Sequence, residues 1–78
     1  MATKLLKEFK VGEKGIVEKL TVIGPLRRRL LDMGITPGTE ITLKKMAPLG
    51  DPIEILIRGY KLAIRKAEAE AIIMKITE

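Results

Sequence analysis

Residues 53–64 have the sequence IEILIRGYKLAI. Two sets of apolar residues repeat here at every second position, namely Ile53, Ile55 and Ile57, then Tyr60, Leu62 and Ile64. Because successive side chains of a β-strand point to opposite faces, each set predicts a strand with one inward-facing side. Between the two sets, Gly59 allows a backbone turn that a side chain would obstruct. The stretch therefore predicts two strands joined by a tight turn.

The same alternation runs through most of the chain. Three further runs predict strands: Ile16 to Leu20, Ile41 with Leu43, and Ile72 to Ile76. Before the first of them, Leu6 and Phe9 lead into a turn over residues 12–15. The two prolines of residues 47–52 lack the N–H groups that a sheet needs, so this segment is predicted to be a loop. Lys66 to Ala71 holds strong helix formers but is short, which predicts one helical turn before the last strand.

A short helix is predicted where the alternation stops. Pro25 suits the first helical position and Gly34 suits the position just beyond the end. At about 100° per residue, three apolar side chains share one stripe that faces the core: Leu26, Leu30 and Met33. Leu31 points about 100° away from this stripe, between Arg27 and Arg28. Three of the four apolar residues of this segment are therefore predicted to pack against the core, whereas Leu31 is not.

These elements predict a mainly β fold. A small SH3-like barrel with five to six strands is the most economical arrangement, with a short α-helix inserted near residues 25–33 and a helical turn near residues 66–71. A chain of 78 residues suffices for one modest core. We expect residues 1–78 to form a single domain, and the start at Met1 suggests a free-standing polypeptide.

The composition argues against catalysis. The chain contains no His, Cys or Ser, so the usual pairs of nucleophile and base cannot be assembled. The glycines are single turn residues and do not form a phosphate-binding loop. The acidic residues show no metal-ligand spacing. We therefore predict a binding module that is not an enzyme and has no cofactor and no metal site.

The charge of the chain points to its partners. Fifteen Lys and Arg against ten Asp and Glu give a net charge of +5, which favours an acidic protein surface or a nucleic acid. Base stacking needs aromatic side chains, and only Phe9 and Tyr60 are present, so nucleic acid is the weaker choice. The N-terminal residues lack the apolar core of a signal peptide, and no apolar run is long enough to span a membrane. A cytoplasmic monomer is favoured.

The densest charge is Arg27-Arg28-Arg29. It is either a solvated helix face, in which Arg28 pairs with Asp32, or a binding site, because the helix dipole opposes these cations by roughly 0.3 kcal/mol or more each. Leu31 is either packed under a neighbouring loop or an exposed anchor. The candidate partner-binding residues are Arg27, Arg28, Leu31, Pro48, Leu49 and Asp51.

Several other residues have a structural interpretation. Six glycines and prolines are predicted to shape the backbone of turns and loops: Gly34, Pro37, Gly38, Gly50, Pro52 and Gly59. Asp51 lies between Gly50 and Pro52, and we expect its carboxylate to accept hydrogen bonds from the amides of its own loop.

Four segments together carry a family resemblance: RLLDMGITPG at residues 29–38, APLGDP at 47–52, RGY at 58–60 and LAIR at 62–65. In order and spacing they resemble the FeoA family of ferrous iron transport proteins. The resemblance implies an SH3-like barrel that acts in the cytosol on FeoB, the membrane transporter for ferrous iron that carries a GTP-hydrolysing domain. The implied function is that of an accessory protein that binds the cytosolic part of FeoB and tunes iron uptake.

Two alternatives stay open at this point. One is a basic SH3-like barrel that binds nucleic acid, of the ribosomal or translation type. The other is a metal-sensing module, because a similar barrel forms the C-terminal domain of iron-dependent repressors of the diphtheria toxin regulator type. In those repressors it follows DNA-binding and dimerisation domains, which we do not expect here.

Overall fold

The computed structural model describes residues 2–77; Met1 and Glu78, which the predicted domain 1–78 includes, lie outside the described residues. The elements in chain order are β1 (Thr3–Leu5), a 3₁₀ turn (Leu6–Glu8), β2 (Lys14–Leu20), α1 (Pro25–Asp32), β3 (Glu40–Met46), β4 (Ile53–Ile57), β5 (Tyr60–Ile64), α2 (Lys66–Ala69) and β6 (Ile72–Ile76). Neither helix in residues 2–77 has the length and apolar character needed to cross a bilayer.

The strands form one antiparallel sheet in the order β1-β6-β2-β3-β4-β5. The mainly β class, the helix near residues 25–33 and the helical turn near 66–71 are confirmed. Strand β1 was not predicted as a separate strand. It is short and, within residues 2–77, pairs with β6 alone. The ammonium of Lys4 lies 2.9 Å from the carboxylate of Glu13, which ties β1 to the turn before β2.

One cluster of buried side chains fills the inside of the curved sheet. It draws on β2 to β6, on both helices and on the segment after β1, and its largest fully buried members include Leu6, Val17, Leu30, Ile35, Ile41, Leu43, Ile55, Ile57, Ile72 and Met74. All three inward positions of β4 are buried, as the alternation in that strand predicted. Because β4 pairs with β3 on one side and β5 on the other, this strand lies at the centre of the packing.

Strand β5 departs from the prediction at its first residue. Ile64 is buried and Leu62 packs partly against the core, but Tyr60, which was predicted to face inward, is 45% exposed. The turn Arg58-Gly59 is only two residues long, with φ of 51° and 83°, so Tyr60 pairs with Ile57 at the very end of the hairpin. The Tyr60 ring therefore lies beyond the core, where its hydroxyl donates a 2.8 Å hydrogen bond to the carbonyl oxygen of Met33.

Candidate partner-binding surface

Helix α1 has the rotation that its sequence predicts. Leu30 is buried, and Leu26 and Met33 pack partly against the core. Arg27 and Arg28 are exposed on the outer side, and Leu31 is only partly buried. The amphipathic stripe thus fixes which side of the helix is available to another molecule.

An open groove of about 860 Å³ runs along this outer side. We call it the α1 groove, and its lining residues are Gly24, Pro25, Arg27, Arg28, Leu31 and Asp32. The groove thus brings together three of the predicted partner-binding residues, Arg27, Arg28 and Leu31. An aliphatic side chain between two guanidinium groups can bind a partner that offers both an apolar group and negative charge.

The three consecutive arginines have two different roles. Arg29 Nε lies 3.3 Å from Oε2 of Glu68, a residue that is only 7% exposed. The other carboxylate oxygen of Glu68 accepts a 2.9 Å hydrogen bond from the backbone N–H of Arg65, just before α2. The carboxylate therefore joins the two helices, and Arg29 is a structural residue.

Arg27 and Arg28 have no such partner. Within residues 2–77 neither forms a salt bridge, so the structure does not show the pair between Arg28 and Asp32 that one of the two interpretations of the triplet included. An exposed pair of this kind gains little in water, because holding two long side chains in one geometry offsets most of the attraction. Both guanidinium groups therefore stay free to meet charges from outside the chain.

The other three candidates lie in the loop over residues 47–52. Hydrogen bonds within the loop close it, from the N–H of Ala47 to the oxygen of Pro52 at 3.1 Å and from the N–H of Gly50 to the oxygen of Ala47 at 2.7 Å. Pro48 is exposed, and Leu49 is 92% exposed at the tip. Of the residues described, none from this loop lines the α1 groove, so the sequence candidates form two separate surfaces.

Asp51 does not do what the sequence predicted. Its Oδ1 accepts a 3.0 Å hydrogen bond from the backbone N–H of Lys66, the first residue of α2, and not from amides of its own loop. The first amides of a helix lack partners inside the helix, so a carboxylate from elsewhere in the chain stabilises the helix start. Asp51 is therefore a link between loop and helix.

The glycines predicted to shape turns have the positive φ values that favour glycine. Gly34 has φ of 92°, and a Cβ there would lie 3.4 Å from the hydroxyl oxygen of Tyr60. Gly38, Gly50 and Gly59 also have positive φ, whereas Pro37 and Pro52 are exposed residues of a turn and a loop. The sequence did not reveal that the side chain of Arg58 contacts the turn after α1. Nη2 of Arg58 is 3.3 Å from the hydroxyl oxygens of both Thr36 and Thr39.

Two further residues were missed. Arg65 directly precedes α2, and Glu68 follows it by three positions, a spacing typical of a helix start. The hydrogen bond from the Arg65 N–H to the Glu68 carboxylate could therefore have been found from the sequence. Ile23 is 88% exposed and directly precedes Gly24 of the α1 groove. Nothing in its own type or spacing distinguishes it from a core isoleucine.

The model of the FeoA domain family matches residues 4–76. The chain belongs to the FeoA domain family. A curated relative from Porphyromonas gingivalis, described as an Fe(2+) transport protein A/Fe(2+) transporter FeoB fusion protein, is 33% identical over 67 residues. That match covers 86% of this chain but only 8% of the fusion protein.

Solved FeoA structures have the same fold. The FeoA-like protein from Clostridium acetobutylicum is 38% identical, with a TM-score of 0.90 over 97% of this chain and 88% of that chain. A crystal structure described as an iron uptake regulatory protein (FeoA) is 32% identical, also with a TM-score of 0.90, over 97% of this chain and all of the other, 100%. The family that the sequence motifs resembled is confirmed.

More distant likenesses concern the fold alone. FeoA from Stenotrophomonas maltophilia, solved with zinc and described as an SH3 domain protein, has a TM-score of 0.81 at 22% identity over 92% of this chain and 89% of that one. A manganese-dependent transcriptional repressor has a TM-score of 0.89 at 18% identity, over 99% of this chain and 38% of the repressor. The predicted SH3-like barrel is thereby confirmed.

Residues 2–77 contain no group of three acidic side chains close enough together to hold a metal ion, and the sequence has no His or Cys to add. The α1 groove offers guanidinium groups, which repel cations. The chemistry that this FeoA surface supports is recognition of an acidic, partly apolar group.

Proposed function

We propose that this FeoA-family chain is a non-enzymatic accessory protein of ferrous iron transport. In this proposal it acts in the cytosol as the single domain 1–78, binds the cytosolic GTPase-containing part of a FeoB-type transporter and so tunes iron uptake. The observation that carries the proposal is the relative in which an FeoA sequence and the FeoB transporter form one polypeptide.

A fusion of this kind gives a reason to expect contact between the two parts. Joining two modules raises the effective concentration of one at the other to about the millimolar range for short flexible linkers. A module that is a separate chain lacks this help and must bind through its own surface. The α1 groove and the loop over residues 47–52 are the two candidate surfaces that this chain offers.

Binding to the transporter can be measured directly. We expect the purified chain to bind the purified cytosolic part of its FeoB-type transporter in a calorimetric or pulldown assay. A parallel titration with single-stranded RNA over a range of salt concentrations tests the nucleic-acid alternative, because phosphate contacts weaken steeply as salt rises. Salt-sensitive RNA binding without transporter binding would reject the proposal.

The structure adds an argument against the RNA alternative. Phe9 is 2% exposed and belongs to the core, so Tyr60 is the one aromatic ring in the sequence with an accessible face. Single-strand recognition gains roughly 1 to 3 kcal/mol from each stacked base, and this chain offers one such contact at most. A basic surface without stacking rings suits an acidic protein better.

A metal-sensing role has its own test. The likeness to the manganese-dependent repressor, at 18% identity, concerns the fold alone. Calorimetry with ferrous and manganous ions should show no micromolar binding of defined stoichiometry. We also expect no release of phosphate from GTP by this chain alone, because it has no loop that surrounds phosphates with backbone N–H groups. Activity that persists after further purification would contradict this.

A further inference from the structure

We propose that the α1 groove, together with Ile23 at its edge, is the surface that receives the transporter, and that it takes an acidic segment carrying a bulky aliphatic side chain. This inference rests on the proposed function and adds the location and the chemistry of the contact. The alternative location is the loop over residues 47–52, which exposes Leu49.

Charge complementarity is the first argument. Arg27 and Arg28 line the groove and form no salt bridge within residues 2–77, whereas Arg29 is held by Glu68. Both free arginines lie in the N-terminal half of α1, where the helix dipole disfavours positive charge and no acidic side chain of the first turn compensates it. Carboxylates of a partner would supply the missing negative charge.

Asp32 makes the groove asymmetric. It lies in the groove at the last position of α1, one helical turn after Arg28. An acidic segment is attracted to Arg27 and Arg28 and repelled by Asp32, so its charged part has one preferred direction along the helix. Complementary and repulsive charges together select both the partner and its orientation.

Apolar contact is the second argument. Ile23 is 88% exposed beside Gly24, and Leu31 lies between the two arginines in the groove. Leu31 lines the groove together with the two unpaired arginines, and Ile23 is an exposed aliphatic residue directly before the groove in the sequence. An aliphatic side chain with cations around it is the usual arrangement of a small interaction hot spot. Leu49 at the tip of the loop over residues 47–52 is equally apolar. The charged side chain of that loop is Asp51, however, an anion whose carboxylate already accepts a hydrogen bond from the backbone N–H of Lys66.

Two contacts connect α1 to other parts of the fold. Arg29 of α1 contacts Glu68 of α2, and the Tyr60 hydroxyl donates a hydrogen bond to the carbonyl of Met33 just after the helix. A surface that does not reorganise loses less conformational entropy on binding. Arg29 and Glu68 thus act as positioning residues for the groove.

The test compares variants of the full chain in titrations with the purified cytosolic part of the transporter. We expect Ile23→Asp and Leu31→Asp each to raise Kd more than tenfold. The double variant Arg27→Glu/Arg28→Glu should raise Kd at least tenfold, and Arg28→Ala should mainly slow association at low salt. Leu49→Asp tests the alternative surface and should stay within twofold. The control is Lys44→Glu/Lys45→Glu, which makes the same charge change on β3 and should also stay within twofold.

A thermal melt of each variant separates binding from folding. Ile23 is exposed, so Ile23→Asp should keep its melting temperature and it decides the test if the partly buried Leu31→Asp is less stable. Unchanged affinity in both Ile23→Asp and the double arginine variant would overturn this inference and leave the proposed function standing. Loss of binding in Leu49→Asp alone would also overturn it, because the contact would then be the loop.

Two other results concern the proposed function. If the unmodified chain does not bind the transporter at all, the proposed function fails and this inference fails with it. If the unmodified chain binds single-stranded RNA instead and the double arginine variant does not, the groove is a nucleic-acid surface and the protein partner is rejected.

Discussion

The two connections on either side of β4 (Ile53–Ile57) differ in what their side chains do. The longer one, residues 47–52, directs Leu49 outward and contacts α2 through Asp51. The shorter one has only two residues, Arg58 and Gly59, yet Arg58 and the following strand residue Tyr60 reach three groups after α1, namely the hydroxyls of Thr36 and Thr39 and the carbonyl of Met33. The length of a connection therefore says little about how strongly it is attached to the rest of the fold.

The difference has a geometric cause. A two-residue hairpin fixes the position of the residues on both of its sides, because their backbones are paired in the sheet. Tyr60, which pairs with Ile57, therefore has a defined direction, and Arg58 lies directly between Ile57 and Gly59 in the tight turn, so both can bond to the turn after α1. The longer loop is closed by its own backbone hydrogen bonds, so its tip is free of the sheet and can carry an exposed leucine.

The largest expected effect comes from the strand that carries both connections. Ile55→Ala should lower the free energy of unfolding by roughly 2 to 5 kcal/mol, since a fully buried isoleucine at the centre of β4 leaves a cavity. Chemical denaturation followed by circular dichroism measures the change. An unchanged midpoint would show that β4 does not hold the two connections together.

A smaller effect is expected at the short connection. Tyr60→Phe removes only the hydroxyl that donates to the Met33 carbonyl, so stability should fall by about 1 kcal/mol, the usual contribution of one hydrogen bond. Lys61→Gln is the control on the same strand, because Lys61 is exposed and its nitrogen is 3.9 Å from Glu54. Equal stability of Tyr60→Phe and the unmodified chain would mean that the short turn is no better attached than the loop.

The smallest effect is expected at the long connection. Asp51→Ala leaves the exposed N–H of Lys66 to water, and we expect a loss of about 0.5 kcal/mol, the low end for a capping residue. Leu49→Ser, at the tip of the same loop, should change stability by less than about 0.5 kcal/mol. A loss at Asp51 that exceeds the loss at Tyr60 would reverse the comparison.

The elements predicted well are those with a local cause. The inward positions of β4 follow from an alternation of two residues, and the rotation of α1 follows from its apolar stripe between Pro25 and Gly34. The site residues of α1 lie on the predicted side for the same reason. Their role as a partner surface stays a prediction.

The errors concern contacts between distant parts of the chain. Asp51 bonds to Lys66, fifteen positions away, and Arg29 meets Glu68 on another helix. Neither pairing has a local pattern, because both depend on how the sheet brings the elements together. Tyr60 shows a related limit, since alternation gives the face of a strand but not the point at which that face leaves the core.

The contact between Arg29 and Glu68 implies that the arginine triplet does not tolerate lysine uniformly. At Arg27 and Arg28 a lysine keeps the positive charge that faces the solvent. At Arg29 the contacting atom is Nε, which lies inside the guanidinium group and has no counterpart at that reach in lysine. A lysine at position 29 would carry its nitrogen one bond further along the side chain, so the middle of α1 should favour arginine where its neighbours need only a cation.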